Sequence, residues 1–430
     1  MRIPLSEIEL EERIRRNYNR LVSDSYYGIS RVFSAPEYEW YGDKEGRALL
    51  AFVSHYKISG QRLPCMEAMM EAMPHHLNAE GYLGPILSDT ILEQQLSGHS
   101  WLLRGLCEHY EQFADAFSLS TLTAIVTHLF LPLKGRFGSY PVDRSESMAG
   151  DVSGETAGEK NGWRLSTDIG CAFMSIDGLS HAYQITRSTP IKDLLDEMIA
   201  CYLAIDKVKL RVQTHCTLSA ARGMMRLYGV TGDSRYLDGA KSILDLYVNG
   251  GGMTVTYQNL NWWGRPDSWT EPCAIIDSLI LATELYRATG EEACRVLAAR
   301  IWHNGFATIQ RDNGGAGTDT LVIPGSERND SRPRLYEAPF CCTMRLSEGL
   351  WYVNEHRDSL YAETNGMVTK QQNGTYADGD LLYVRPDEAL LPYAESEGVE
   401  VDGYRLYPLV KAYRVPREVF MVSSQQVRFS

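Results

Sequence analysis

The chain has no cluster of Lys and Arg dense enough to offset its overall balance of 42 basic against 55 acidic residues, a formal net charge of −13. A surface of that sign repels phosphate backbones, so no nucleic-acid partner is expected. An uninterrupted apolar run of membrane-spanning length is also lacking. The most apolar stretch, Leu119 to Leu133, is broken by Ser120, Thr121, Thr123, Thr127, His128 and Pro132, and it reads as a buried core helix with no membrane role. Met1 to Arg20 is amphipathic and charged, without the continuous apolar core of a secretory signal, so export by that route is not expected. The nine cysteines are an odd count with no disulfide-framework spacing; scattered through apolar segments, they suit a reducing compartment, and the cytoplasm is the expected location. Heptad runs, low-complexity tracts and basic tails are absent from the sequence.

What remains is ordinary globular material: 430 residues, 44% hydrophobic and 23% charged, enough for one large core or two smaller ones. Its clearest pattern is a recurring helix ending, Tyr56-Lys-Ile-Ser-Gly60, Tyr183-Gln-Ile-Thr-Arg187, Tyr228-Gly-Val-Thr-Gly232 and Tyr286-Arg-Ala-Thr-Gly290. Each closes an apolar segment of period 3.6, and three of the four place Gly where a helix C-cap wants a left-handed residue. Helical spacing then resumes, as in Asp233 to Tyr247, which is the signature of an αα-hairpin. Repeats of roughly 50 to 60 residues over most of the chain predict six helical pairs in a closed or open stack over residues 1–358. From about Ser359 the texture changes to alternating Tyr, Val and Leu with Asn-Gly and Asp-Gly turns, predicting a short β-rich extension over 359–430. Three Gly-rich polar segments, Phe137 to Trp163, Gly250 to Ser268 and Asp312 to Pro333, are too long to be idle connections and are expected to carry function.

Cys341-Cys342 and Glu271-Pro-Cys273 form the strongest chemical constellation. Three soft thiols and a carboxylate complete a tetrahedral zinc shell, and neighbouring thiolates reach one metal more readily than they bond to each other. The competing reading is three ordinary buried cysteines, since free Cys is among the most buried residue types.

Asn78-Ala-Glu-Gly-Tyr-Leu-Gly84, Leu96-Ser-Gly-His99, His215-Cys-Thr-Leu-Ser-Ala-Ala-Arg222, Thr270-Glu-Pro-Cys273, Trp302-His-Asn-Gly305 and Cys341-Cys342 occur in an order that resembles the β-L-arabinofuranosidase family, glycoside hydrolase family 127 and its relatives, over about Tyr38 to Asp380. The resemblance implies an (α/α)6 catalytic barrel, a Zn2+ held by Glu271, Cys273, Cys341 and Cys342, and Cys341 as nucleophile in a retaining hydrolysis of an L-arabinofuranoside-like sugar. A zinc-bound sulfur is already a thiolate at neutral pH, which fits that role. The resemblance also implies that His99 and His215 line the sugar pocket. Trp262, Trp263 and Trp269 cluster ahead of Glu271, and aromatic faces stack on sugars; Trp262 and Trp263 are the expected contacts.

The family's acid/base Glu lies in a Gly-rich loop ahead of the zinc Glu, and here that loop, Gly251 to Gly264, contains no carboxylate. Glu155 and Glu159, then Asp168 and Asp267, are the substitutes the sequence offers. After Cys342 the chain reads Thr343-Met-Arg-Leu-Ser-Glu348 and lacks the prolines and Asn usual in the family. Two alternatives follow: a sugar-binding protein that keeps zinc without turnover, or a sugar epimerase or lyase using His99, His215 and a tyrosine. A carbohydrate is the expected partner in each case, and homo-oligomerisation stays open.

Overall fold

The structure is a computed structural model, and it describes residues 2–3, 5, 7–36, 39–144, 154–254, 257–265, 268–306, 309–318 and 336–363, with strand segments between 369 and 416. Twelve helices organise the described residues: α1 (Glu7–Ser23), α2 (Asp43–Ser59), α3 (Pro64–Ala72), α4 (Glu93–Phe113), α5 (Ala116–Ala124), α6 (Ser175–Thr186), α7 (Thr189–Ala204), α8 (Thr214–Thr231), α9 (Ser234–Asn249), α10 (Pro272–Thr289), α11 (Glu292–Arg300) and α12 (Cys342–His356). The even-numbered helices pack in sequence, α2 on α4, α4 on α6, α6 on α8, α8 on α10, α10 on α12, and α12 back on α2. That closes a ring. Each odd-numbered helix packs outside it, with α1 completing the sixth pair against α12, so the chain is an (α/α)6 toroid.

Burial follows from residue type. The ring helices are buried nearly all round, α4 from Glu93 to His109 without a break, as expected of core helices. Outer helices bury one face only and start on local signals. The Asp233 side chain accepts the Arg235 N–H at the start of α9, Asp115 accepts the Ser118 N–H at the start of α5, and Pro opens α3 and α7.

All four tyrosine-led endings behave as predicted. Gly60, Arg187, Gly232 and Gly290 sit in the left-handed region and donate their N–H groups to the carbonyls of Tyr56, Tyr183, Tyr228 and Tyr286 at 2.7–2.9 Å. A fifth member escaped the sequence reading: α4 ends at Ala114, φ 50°, with its N–H on Tyr110 O at 2.7 Å. Ala there gives no sequence cue, because glycine is what marks such a cap.

Ring helices approach closely through glycine. A Cβ at Gly46 of α2 would lie 2.1 Å from the backbone of Trp101 and Leu102 in α4, and one at Gly98 would lie 2.2 Å from Tyr41 O.

Ala116 to Leu133 is apolar enough by composition to cross a membrane, yet it breaks into α5, a π segment (Ile125–Phe130) and a 3-10 turn (Leu131–Leu133). Only 44% of it is buried, so the sequence expectation of a continuous buried helix is corrected to a broken one with Ser120, Thr123, Thr127 and His128 on its outer face.

Of the three predicted functional loops, Phe137 to Trp163 contributes strand Thr156–Lys160, antiparallel to Trp163–Ser166, which runs parallel to Ile91–Leu92. Most of Asp312 to Pro333 lies outside the described residues. Strand Arg2–Ile3 pairs with Ala362–Glu363, and beyond it the strands Thr369–Lys370, Thr375–Asp378, Leu381–Val384 and Tyr413–Pro416 form one antiparallel sheet.

Candidate metal and active site

The cysteine-bearing ring helices α10 and α12, together with α2 and α8, turn their N-termini toward one cavity of about 410 Å³. Asp43, Lys44 and Arg47 come from the first turns of α2, Met174 precedes α6, His215 opens α8, Glu271 is the N-cap of α10, and Cys341 and Cys342 begin α12. Helix N-termini carry partial positive charge and stabilise anions, carboxylates and thiolates included. The fold therefore gathers these carboxylates and thiols where negative charge is best tolerated.

Two segments remote in sequence meet here. Cys273 Sγ lies 3.6 Å from Cys342 Sγ, and Cys341 Sγ lies 3.4 Å from Cys342 Sγ. The donor atoms of the three cysteines all fall within 4.8 Å of one another, and so do those of Glu271, Cys273 and His215. A tetrahedron of zinc–sulfur bonds near 2.3 Å has sulfur–sulfur edges of roughly 3.8 Å, so the thiol triangle is close to the size a zinc ion requires, with Glu271 on the Cys273 side. Cys273 and Cys342 are buried, whereas Cys341 is partly exposed at the cavity wall.

Charge around the sulfurs is asymmetric. Burial alone would raise Cys273, but hydrogen bonds from Cys341 and Cys342, with Arg47 and His215 nearby, hold it well below an ordinary thiol. Its partners move the other way: Cys341 is pushed up chiefly by bonding to Cys273, and Cys342 by burial. Arg47 Nη1 donates to Cys273 Sγ at 3.4 Å, and its Nε donates to both Asp43 oxygens at 3.0 and 2.9 Å. The same guanidinium lies 4.1 Å above the Trp101 ring.

His215 is held between carboxylates. Its Nδ1 lies 3.0 Å from Glu271 Oε1 and its Nε2 lies 3.4 Å from Asp277 Oδ2, while its ring stacks on Trp101. Burial opposes the imidazolium, yet Glu271 and Asp277 outweigh it and raise His215 to about 10. Behind it, Asp277 accepts from Arg222 and Ser219 at 2.6 Å each and pairs with Arg345, and Glu348 accepts from Arg222 at 2.6 Å and Arg104 at 2.8 Å. Gln213 Nε2 reaches Glu271 Oε2 at 3.4 Å, and Asn259 Oδ1 accepts the Glu271 N–H at 2.8 Å. Such outer partners orient metal ligands.

Of the residues singled out in the sequence, Glu271, Cys273, Cys341, Cys342 and His215 come together. His99 does not join them: its Nδ1–H donates to Gln95 O at 2.8 Å, its Nε2 accepts the Leu83 N–H at 3.1 Å, and no ring nitrogen is left for a hydroxyl. Trp262 and Trp263 are fully buried, their indole N–H groups donating to Thr167 O and Thr217 Oγ1, so neither presents a face to the cavity. The tryptophans that do line it are Trp269 and Trp40, together with Phe340, 47% exposed beside Cys341. Glu159 is exposed on a strand, Asp168 lines the cavity, and Asp267 lies outside the described residues. Sequence reasoning missed Asp43 and Arg47, although an Asp and an Arg four apart just after Gly42 form a legible first-turn pair.

No family model and no curated protein matches the sequence. Solved structures do match in shape. A β-arabinofuranosidase of glycoside hydrolase family 127 aligns at TM-score 0.56 and 11% identity, covering 90% of this chain and 66% of that one. The family 127 β-L-arabinofuranosidase of Geobacillus stearothermophilus aligns at TM-score 0.54 and 13% identity, over 90% and 70% of the two chains. The cellobiose 2-epimerase of Bacillus thermoamylovorans aligns at TM-score 0.54 and 13% identity, over 80% of this chain and the whole of that one. These likenesses establish the (α/α)6 toroid fold.

Proposed function

We propose that this chain is a retaining glycoside hydrolase in which Cys341 is the nucleophile and Glu271, Cys273, Cys341 and Cys342 hold a zinc ion, acting on an L-arabinofuranoside or a related sugar. The observation that carries the reading is the convergence of three thiols and one carboxylate from two segments remote in sequence, with Glu271, Cys341 and Cys342 on the wall of one cavity and Cys273 buried against them. The bound zinc would keep its sulfur ligands ionised at neutral pH. The chain's own residues do the rest. Cys341 is the one sulfur of the three with solvent access, Arg47 holds Cys273 by an N–H···S contact, and Gln213 and Asn259 fix Glu271. Trp40, Trp269 and Phe340 offer apolar faces at the mouth against which a sugar ring can stack.

An epimerase on the same toroid is the second reading, and the shape match to cellobiose 2-epimerase speaks for it. Proton transfer between two faces of a sugar carbon calls for paired bases. Among the described residues the cavity offers one imidazole, His215, and two carboxylates already flank it.

Metal analysis of purified protein beside Cys341→Ser, with a panel of 4-nitrophenyl glycosides and product anomer assignment by NMR, tests the proposal. Zinc near one equivalent in the wild type, reduced in the variant, with first-formed product of retained configuration, is the expected result. Full activity in Cys341→Ser would refute the nucleophile.

A further inference from the structure

A buried side-chain amide carries two N–H donors and an acceptor oxygen, and because leaving them unpaired in an interior is costly, folded chains pair them. This chain follows the rule at Asn17, whose Nδ2 donates to Gly314 O and Thr343 O at 3.0 and 3.1 Å. It does so at Gln94, whose Nε2 donates to Gly154 O, Glu155 O and Ser166 Oγ at 2.8–3.0 Å. Asn259 conforms as well, its Nδ2 donating to Thr214 Oγ1 at 2.9 Å while its Oδ1 accepts the Glu271 N–H at 2.8 Å. Among the described residues two buried amides break the rule. Asn261 has a hydrogen-bond partner for neither Oδ1 nor Nδ2, and Gln213 has none for Oε1. Both line the cavity that holds Glu271, Cys341 and Cys342, Asn261 being 1% and Gln213 3% exposed.

Backbone pairing brings the two together. Gln213 and Trp262 form an antiparallel bridge where the chain enters α8. Asn261 O accepts the Thr214 N–H at 2.9 Å and the Asn261 N–H donates to Trp269 O at 3.0 Å, so Asn261 is fixed between the first turn of α8 and the segment leading to Glu271. The Gln213 N–H donates to Ile169 O at 3.0 Å. Its side chain is oriented too: Nε2 donates to Glu271 Oε2 at 3.4 Å, and because a carboxylate can only accept, the amide oxygen is the end left over. Amide bond lengths put that oxygen within about 6 Å of Glu271 Oε2. Glu271 in turn offers an oxygen within 4.8 Å of Cys273 Sγ, and Cys273 Sγ lies within 4.8 Å of Cys341 Sγ. Main-chain bonds thus hold the unpaired amides beside the ligand platform, the rigidity a recognition group needs.

We infer that Asn261 and Gln213 recognise the hydroxyls of a neutral sugar and set the specificity of the site, an inference that rests on the glycosidase reading above. The unpaired atoms match two neighbouring hydroxyls. Asn261 Nδ2 supplies donors, Asn261 Oδ1 and Gln213 Oε1 are acceptors, and each hydroxyl both donates a hydrogen and accepts one. An ionised carboxylate only accepts, so a uronic acid in the same place would set its negative oxygens against both amide oxygens. A deoxy sugar is disfavoured for the complementary reason, since it strands the amide atoms its hydroxyl would have satisfied. Neither amide makes or breaks a bond; the two hold the sugar ring while Cys341 acts.

Asn261→Leu and Gln213→Met keep the approximate size of each side chain and remove its amide; Asn261→Ala, which adds no bulk, stands in where leucine disturbs folding. The quantity to measure is the ratio of kcat/KM for the 4-nitrophenyl glycoside the panel identifies to kcat/KM for its monodeoxy analogues. That ratio does not depend on how much of the enzyme carries metal, so a loosened Glu271 in Gln213→Met leaves it unmoved. In the wild type it should reach about 10² or more for at least one analogue, and in the variants it should fall toward one. A ratio that the variants retain would mean that the amides act structurally and would overturn the inference, as would a wild type that cleaves the corresponding uronoside equally well. Binding of the methyl glycosides of the same sugars, followed by saturation-transfer NMR, separates this inference from its parent. A wild type that cleaves no glycoside sinks the glycosidase reading. In that event, methyl glycoside binding that Asn261→Leu abolishes upholds the amide pair, whereas no binding by the wild type, or binding that the variant keeps, overturns it.

Discussion

Cys273 and Cys342 bring their Sγ atoms to 3.6 Å across 69 residues of chain. Adjacent ring helices make this meeting inevitable once the toroid closes: α10 begins at Pro272 and α12 at Cys342, and the two pack side by side with their first turns at the same end. Both thiols are fully enclosed and Cys341 is partly exposed beside them, so an ion held by the three would tie α10 to α12.

Removal of metal should therefore cost stability. A ligand that binds only the folded state at about 1,000 times its Kd contributes about 4 kcal/mol, so chelator treatment is expected to lower the melting temperature by several degrees, and added zinc to restore it. Cys273→Ser should melt low and respond weakly to chelator. Calorimetric scans of the wild type that are identical with and without a strong chelator would show that no metal is held.

The close contact of α2 with α4 makes a second expectation. Gly46→Ala puts a methyl group 2.1 Å from the Trp101 and Leu102 backbone, where neither chain can yield without moving a ring helix, so a loss of several kcal/mol or failure to fold is expected. Gly229, inside α8 with nothing within 4 Å of its would-be Cβ, is the opposite case. Gly229→Ala should gain about 0.5 to 1 kcal/mol by restricting the unfolded chain. Urea midpoints of the two variants should move in opposite directions.

Local rules made the fold legible. The tyrosine-led C-caps mark where α2, α6, α8 and α10 stop; the same cap on α4 was missed because its left-handed residue is Ala114 and not glycine, and α12 ends without one. The cluster of thiols and a carboxylate was legible because these groups announce their chemistry by type. Which aromatic faces the cavity was not, since Trp262 and Trp269 differ in the direction their backbone turns and not in their chemistry: one buries its ring beneath the loop, the other stands edge-on to it at 5.1 Å. His99 misled for a similar reason, its ring nitrogens being claimed by Gln95 and Leu83 through loop geometry that no pattern records.

Acid should act through buried histidines. Burial lowers His55 and His99 from 6.5 to about 4, so the unfolded chain binds more protons between those values and stability falls as pH drops from about 6.5 toward 4. At about 1.4 kcal/mol per pH unit each site contributes on the order of a few kcal/mol. His99 Nε2 accepts the Leu83 N–H at 3.1 Å, a contact a second proton would abolish, whereas His55 Nε2–H donates to Asn17 Oδ1 at 3.0 Å and a second proton would place a desolvated charge in the core. Glu45, raised to about 7 by burial, has the opposite sign, its stabilisation being lost as pH rises from about 4.5 through 7. His55→Gln and His99→Gln should each flatten the acid side of a stability–pH curve, and Glu45→Gln should remove the loss that Glu45 causes as pH rises toward 7; a curve unchanged by all three would contradict these assignments.

Asp277 makes the last prediction. Its carboxylate is fully buried and receives Arg222, Arg345 and Ser219, with His215 at 3.4 Å, and the two guanidiniums outweigh burial to hold it well below the usual carboxylate range. Asp277→Asn keeps the shape and removes the charge, leaving Arg222 and Arg345 to share Glu348 as their nearest anion. Breaking one partner of a buried ion network costs about 3 to 5 kcal/mol, because the remaining charge stays desolvated. Ser219→Ala, which deletes a single hydrogen bond to the same carboxylate, should cost only about 1.5 to 3 kcal/mol. Denaturant titrations that rank the two variants in the reverse order would show that the arginines find other partners. The expected order instead ties ring stability to the same aspartate that faces His215, so Asp277→Asn should also weaken metal retention, measurable as faster zinc loss to a chromogenic chelator.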